Sequence, residues 1–455
     1  MTPITIARLS LAYLIPTLIG IVILSGLERG KRRLAGFEKL ALGFAIGSGI
    51  VSFYLFYLGI LRIRFNFWTL TAIVWLFIIW GIFIYARIRP KKLAHSYRSN
   101  IFSSKTKWKE KLLITFLVIL LIWKIFFIAF NVVVSAPYFD DSVSCWNYKA
   151  KVYFHTRRII WDRKDPDFLG GHPGRTHYPN GIPLFKSWVA LWMGRWEDLP
   201  VNVNTLIFWL CLGLLFYFNL RYYLSASVAF AFTYMLLSIP LITFHAGFAY
   251  FDMVAGFYFI GGIIYLYRWI ERREDFYLVL SALLFAIGLS IKEEMLAFFV
   301  LGVIPVLVIY QAAAKFRLPS LVRNTALYLS IVFVPSFPWF YAKANYRLQL
   351  GPVPATQQLE FNPKALKLLV AYFFDFGNYN ILWTLLIAGF VFSFHYVIKS
   401  NLKYLLLSLV FALAFLLGAF LFVRWTFNRA TLIVMPLMIY YLALIYGKLS
   451  TSRCT

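Results

Sequence analysis

Apolar and polar residues along this chain come in long blocks instead of alternating at a strand or surface-helix period. Apolar runs fall near residues 4–26, 38–60, 67–86, 112–134, 203–222, 225–245, 251–270, 276–292, 296–314, 325–342, 380–398, 403–423 and 430–447. Most are about 18–25 residues long, enough for a helix to cross roughly 30 Å of hydrocarbon. The pattern predicts an all-α polytopic membrane protein with about thirteen transmembrane helices. The first run follows almost no basic residues and lacks a small-residue cleavage site, so it is expected to be a retained helix and not a signal peptide. Residues 1–111 read as an N-terminal three-helix segment with a basic loop. Residues 112–455 read as a second transmembrane module that includes a large loop, 135–202, after the fourth helix. A further loop spans 348–363, and residues 364–376 suit a helix lying in the membrane interface.

Composition agrees with an integral membrane protein: 61% of residues are hydrophobic and 14% charged, with a mean hydropathy of +0.74. The formal charge of +27, from 45 Lys and Arg against 18 Asp and Glu, would suit nucleic acid. The cations, however, sit in short clusters between apolar runs, the arrangement that orients helices in a bilayer, and no nucleic-acid partner is expected. Three cysteines, Cys145, Cys211 and Cys454, do not make a disulfide framework.

If the helices alternate, residues 28–33, the stretch 87–111 with nine Lys and Arg, 271–273, 315–317 and the tail from Lys448 share one side. The positive-inside rule makes that side cytoplasmic, placing the N-terminus outside and the C-terminus inside a plasma or inner membrane. Arg62 and Arg64 run against the pattern. The 135–202 loop is then extracytoplasmic, as are 245–252, 292–294, 343–363 and 424–429. Polar residues at helix ends gather on that face, which suggests a single outer cavity beneath the loop.

The densest chemistry lies in residues 138–183. Asp140 and Asp141 stand beside a helix end. Cys145, Trp146, Asn147, Tyr148, Lys149 and Lys151 follow, and the stretch closes with His172, Arg175, His177, Tyr178 and Pro179. Elsewhere, Asp252 opens an apolar helix, Lys292, Glu293 and Glu294 cluster at a helix end, and Arg424 and Arg429 flank the last run. The acidic pair just after a helix, the Trp146 to Lys151 stretch and the His177-Tyr178-Pro179 triplet resemble the membrane glycosyltransferases of the GT-C class, which include protein O-mannosyltransferase and aminoarabinose transferase relatives. The segment 247–252 ending in Asp252 is similar to their acidic residue at an outer helix start. Ser290 to Glu294 resembles their Thr-Lys-x-Glu motif. The similarity in motif order covers roughly 112–440. In three respects the chain departs from the better-known members: three helices precede the one leading into the loop, Asp-Asp replaces Asp-Glu, and no sizeable soluble C-terminal domain is expected.

The resemblance implies that a sugar is moved from a polyprenyl phosphate to an acceptor hydroxyl on a glycan, lipid or protein, with inversion at the anomeric carbon. Asp141 or Asp140 is the candidate general base. Arg429, Arg424 and Lys292 are candidates to stabilise the departing phosphate, with Lys149, Lys151 and Arg175 reaching from the loop. His177, Tyr178, Asp252, Glu293 and Glu294 complete the candidate substrate contacts. A divalent metal on Asp140, Asp141 and the outer glutamates is compatible with the chemistry, but no His or Cys ligand spacing adds to it. No dinucleotide or phosphate-loop fingerprint stands in a suitable context, which disfavours a nucleotide-sugar donor.

Structural readings stand beside these. Asp140 and Asp141 also suit a solvated loop start, His172 and His177 a turn hydrogen bond, and Lys149 and Lys151 a solvated face. Glu293 and Glu294 also suit an internal ion pair with Lys292, Asp252 a helix N-cap, and Arg424 and Arg429 interface anchors. Lys124, mid-run in 112–134, has no evident partner. Two other functions fit a greasy chain with an outer site. A transporter or flippase of lipid-linked glycans predicts charges at mid-membrane. An O-antigen polymerase or ligase predicts an oligosaccharide donor.

Overall fold

A backbone in hydrocarbon has to satisfy its own hydrogen bonds, so long apolar runs become helices. The computed structural model describes residues 2–87, 108–135, 141–171, 176–348, 361–423 and 427–452. Among these residues it is all-helical, with no strand. In chain order the helices are α1 (Pro3–Glu28), α2 (Gly36–Ile60), α3 (Phe67–Arg87), α4 (Trp108–Val133), α5 (Tyr148–Thr156), α6 (Gly181–Met193) and α7 (Asp198–Leu220). They continue with α8 (Ala226–Ser238), α9 (Pro240–Gly247), α10 (Asp252–Arg272), α11 (Asp275–Leu289), α12 (Glu294–Ala297), α13 (Ile304–Ala313) and α14 (Leu318–Asn345). The last are α15 (Pro363–Phe373), α16 (Phe376–Tyr379), α17 (Leu382–Ile398), α18 (Leu402–Val423) and α19 (Phe427–Ser452). Two wider, π-helical turns interrupt the α geometry, at Asp141–Asn147 and at Phe298–Val303.

Ten helices among the described residues are long and apolar enough to cross a membrane, and α8 with α9 makes an eleventh if the pair, bent by 64°, is one span. This is the architecture of an integral membrane protein. All thirteen expected apolar runs are helical, but two of them, α11 and α17, are 15 and 17 residues long. The break between α8 and α9 falls at Pro240, whose ring cannot continue the hydrogen-bond ladder; Thr243 Oγ1 compensates by donating to the Leu237 carbonyl at 3.1 Å. The 135–202 region is far more helical than the loop expected there, because the apolar stretch in α6 is only 13 residues and falls short of a span. The helix expected at 364–376 is present as α15.

Contacts divide the chain into two compact units. The first comprises Met1–Ser104, Ile125–Leu215 and Ala246–Tyr250, and the second Lys105–Lys124, Phe216–His245 and Phe251–Thr455. In the first, α1 and α2 form a hairpin whose turn is held by Glu28. Its carboxylate accepts from the Arg33 and Leu34 amides at 2.8 and 3.1 Å and pairs with Lys39 at 2.7 Å. The two backbones touch through small residues: a Cβ on Gly47 would lie 1.6 Å from the Pro16 carbonyl oxygen, and one on Gly20 1.9 Å from that of Gly43. α6 packs on this hairpin, with Trp188 Nε1 donating to the Ala12 carbonyl at 3.0 Å and Ser52 Oγ to the Gly181 carbonyl at 2.8 Å. α3, by contrast, buries just Leu70 and Ile73; Val74, Phe77, Gly81 and Ile84 are half-buried, and much of the rest of the helix is exposed.

The second unit is built around α10, every residue of which is buried from Asp252 to Ile270. It packs against α11 and α19. Gly262 admits the Phe285 ring, and Gly256 lets the α19 backbone approach at Leu432. Ser281 on α11 bonds both the Gly262 carbonyl and the Tyr328 hydroxyl, each at 2.7 Å, which ties α14 to the pair.

Gly47→Val should clash with the α1 backbone and cost at least ~2 kcal/mol, lowering the melting temperature of the detergent-purified protein. Gly418, with open space around it, is the control: Gly418→Ala should be neutral or stabilising by up to ~1 kcal/mol.

Candidate functional site

Each unit carries a buried polar cluster at helix ends. In the second unit the cluster is centred on Asp252, in the first turn of α10, with its side chain 3% exposed. Lys292, from the break between α11 and α12, donates to its Oδ1. Arg429, in the first turn of α19, reaches its Oδ2 at 3.2 Å, and His245 Nδ1 from α9 lies 3.4 Å from the same oxygen. Two cations and an imidazole from three separate segments thus gather around one carboxylate. Lys292 is buried, whereas the Arg429 side chain is 31% exposed and keeps a face open. Within this group the two cations, Lys292 and Arg429, face the single carboxylate of Asp252.

Next to Lys292 the two glutamates differ. Glu293 accepts from Lys343 near the end of α14, itself buried. Glu294 is 8% exposed, and its Oε2 has no hydrogen-bond partner among the described residues. The sequence reading therefore named three members of the Asp252 cluster, Asp252, Lys292 and Arg429, and the structure brings them together. It did not single out His245 or Lys343. A lone histidine or lysine at the end of an apolar run signals them weakly.

In the first unit, Asp141 opens the π-helical turn that ends at Asn147 and runs directly into α5. It is buried, with 9% of its surface exposed. The far end of the turn is pinned. Lys186 on α6, fully buried, donates to Asn147 Oδ1 at 2.5 Å and to Asn202 Oδ1 on α7 at 2.7 Å. The Asn147 amide donates to Asp198 Oδ1 at 3.0 Å, which also accepts from Trp196 Nε1 at 3.2 Å. Lys186 escaped the sequence reading, although a lysine within an otherwise apolar helix is the signal that finds it.

Lys149 is buried too. Its ammonium donates to the Tyr178 carbonyl at 2.7 Å, so it fastens the 176–180 segment to α5. Gly170, at φ +97°, lies against its stem, where a Cβ would come within 2.1 Å of Lys149 Cγ. Tyr178 packs edge-on against Trp146, with centroids 5.5 Å apart, and its ring lies 4.4 Å from that of His177; both residues are half-buried. Lys151 is exposed on α5. Burial drives the ammonium groups of both Lys149 and Lys186 down to about 7; Cys145 pulls the first back slightly, and Asp198 and Cys145 the second.

Asp140, His172, Arg175 and Arg424 lie outside the described residues. Among the described residues no group of three or more His, Cys, Asp or Glu side chains stands together as a metal site. Lys124 donates to Thr243 Oγ1 at 3.4 Å, facing the broken α8–α9 pair. Cys145 and Cys211 are both buried.

Two tests follow from this geometry. Asp252→Ala would strand two cations and should cost about 3–5 kcal/mol in thermal unfolding, more than Arg429→Ala, because Arg429 keeps access to water. The lysines set a pH dependence. Their folded-state values lie near 7, below the unfolded value of 10.5, so the unfolded chain binds more protons between these limits. The penalty for burying them is complete below pH 7 and is lost as pH rises towards 10.5. Stability should therefore rise over that window, by at most ~1.4 kcal/mol per pH unit for each lysine. Lys186→Met should flatten the slope, as read by melting temperature against pH.

Comparison with protein-family models, curated proteins and solved structures gives no match.

Proposed function

We propose that the protein is a membrane glycosyltransferase of GT-C type, which moves a sugar from a polyprenyl-phosphate donor to an acceptor hydroxyl on the extracytoplasmic face. One observation carries this reading: Lys292 and Arg429, 40 and 177 residues from Asp252 in the chain, converge on its carboxylate. Such a cluster suits the phosphate of a lipid whose tail stays in the bilayer, since it stands at the ends of apolar helices and one of its cations remains accessible.

In this mechanism the acceptor oxygen attacks the anomeric carbon opposite the phosphate. Its proton passes to a carboxylate base, for which Asp141 is the candidate the sequence offers, as the new C–O bond forms. The bond from the anomeric carbon to the phosphate oxygen breaks, and its electron pair leaves with the phosphate, whose growing charge Lys292 and Arg429 offset. Asp252 positions both cations. The inverted configuration follows from attack on the opposite face.

Asp141→Asn should lower transfer to a hydroxyl acceptor by at least ~10²-fold while the melting temperature stays near wild type; full activity in that variant removes Asp141 from the mechanism. Arg429→Ala should weaken binding of a polyprenyl phosphate to the purified protein roughly tenfold. Unchanged donor affinity would leave Arg429 as a structural anchor.

A further inference from the structure

Helix α15 is amphipathic in an unusual way, with three distinct flanks. Ala365 is buried and Leu369, Tyr372 and Phe373 are half-buried, so this side faces the protein. The next flank, Leu366, Val370 and Phe374 just beyond the helix end, is apolar and exposed, at 46%, 59% and 69%. Lys364 and Lys367 follow on the adjoining flank, both exposed, and the helix contains no acidic residue. In water the exposed apolar flank would be unfavourable.

The depth of α15 is set by its neighbour. The Asn362 amide donates to the Leu421 carbonyl at 2.9 Å. The Tyr372 ring lies 5.9 Å from Phe420, and Phe361 lies 5.6 Å from Phe422. These three partners form the last turn of α18, a helix long enough to cross the bilayer that ends at Val423. α15 therefore lies level with the end of a span, where hydrocarbon gives way to headgroups.

We infer that α15 is a docking surface for anionic phospholipid of the surrounding bilayer. Leu366, Val370 and Phe374 enter the acyl region, and Lys364 and Lys367 bind headgroup phosphates. Charge decides the lipid class, because two lysines without a compensating acid on the helix prefer a net-negative headgroup. The inference is independent of the glycosyltransferase reading.

The test uses the full-length protein in lipid nanodiscs. Val370→Cys, in a Cys454→Ser background with Cys145 and Cys211 buried, carries an environment-sensitive fluorophore. Its emission should be blue-shifted and shielded from aqueous iodide. Lipids retained in native mass spectrometry should favour phosphatidylglycerol over phosphatidylcholine, and Lys364→Gln with Lys367→Gln should reduce that preference by up to roughly thirty-fold. Both lysines are exposed, so the double variant should melt like wild type. A probe open to iodide, or a preference that survives the double substitution, overturns the assignment. Shielding that requires two chains per disc also overturns it and makes the occupant a second copy.

Discussion

A charge taken out of water has to be answered within a few ångström, and the second unit is organised by that requirement. Asp252 begins a helix that is packed on every side. Its carboxylate is answered by Lys292 and Arg429, which come from a helix break and a helix start, while His245 at a helix end lies 3.4 Å away. Each of those segments is held in place by the same oxygen atoms. The cluster is therefore a lock on the helix ends and places two cations around one buried carboxylate.

The first unit meets the same requirement with different chemistry. Lys186 has amide oxygens as acceptors, from Asn147 and Asn202, and Asp198 stands one bond further away. Uncharged acceptors serve an ammonium or a neutral amine, which fits a lysine held near neutrality. The network fixes the last residue of the π-helical turn whose first residue is Asp141. Wider turns of this kind recur at functional positions because they displace a side chain from the regular helical path.

Much of this was legible in the sequence, and the reasons are physical. Hydrocarbon thickness sets a length that apolar runs either reach or miss, so α1, α2 and α10 stand out from composition. Charges at the ends of such runs are costly enough that Asp252, Lys292 and Arg429 drew notice before their contact was known. α6 was not legible, because a buried helix of 13 residues is too short to register as a span. Lys186 was hidden with it, and Lys149 read as either a loop contact or a solvated residue when it is in fact buried under Gly170. The pairing of Glu293 with Lys343 in place of Lys292 depends on how α14 packs, which no local pattern encodes. The same holds for Lys124, whose partner Thr243 is 119 residues away.

α10 also bears on how the protein is made. Between Tyr258 and Trp269 it buries three tyrosines, an arginine and a tryptophan, with Arg268 stacked 3.8 Å from the Tyr222 ring. A segment carrying an acid at one end and a guanidinium near the other has little to gain from dissolving in lipid alone. Its partners flank it very unequally in the chain: α11 follows at once, while α19 begins only at Phe427. During biogenesis α10 must therefore wait for residues 427–452 before its second face is covered, and termination anywhere before α19 leaves an arginine-bearing helix for quality control to recognise.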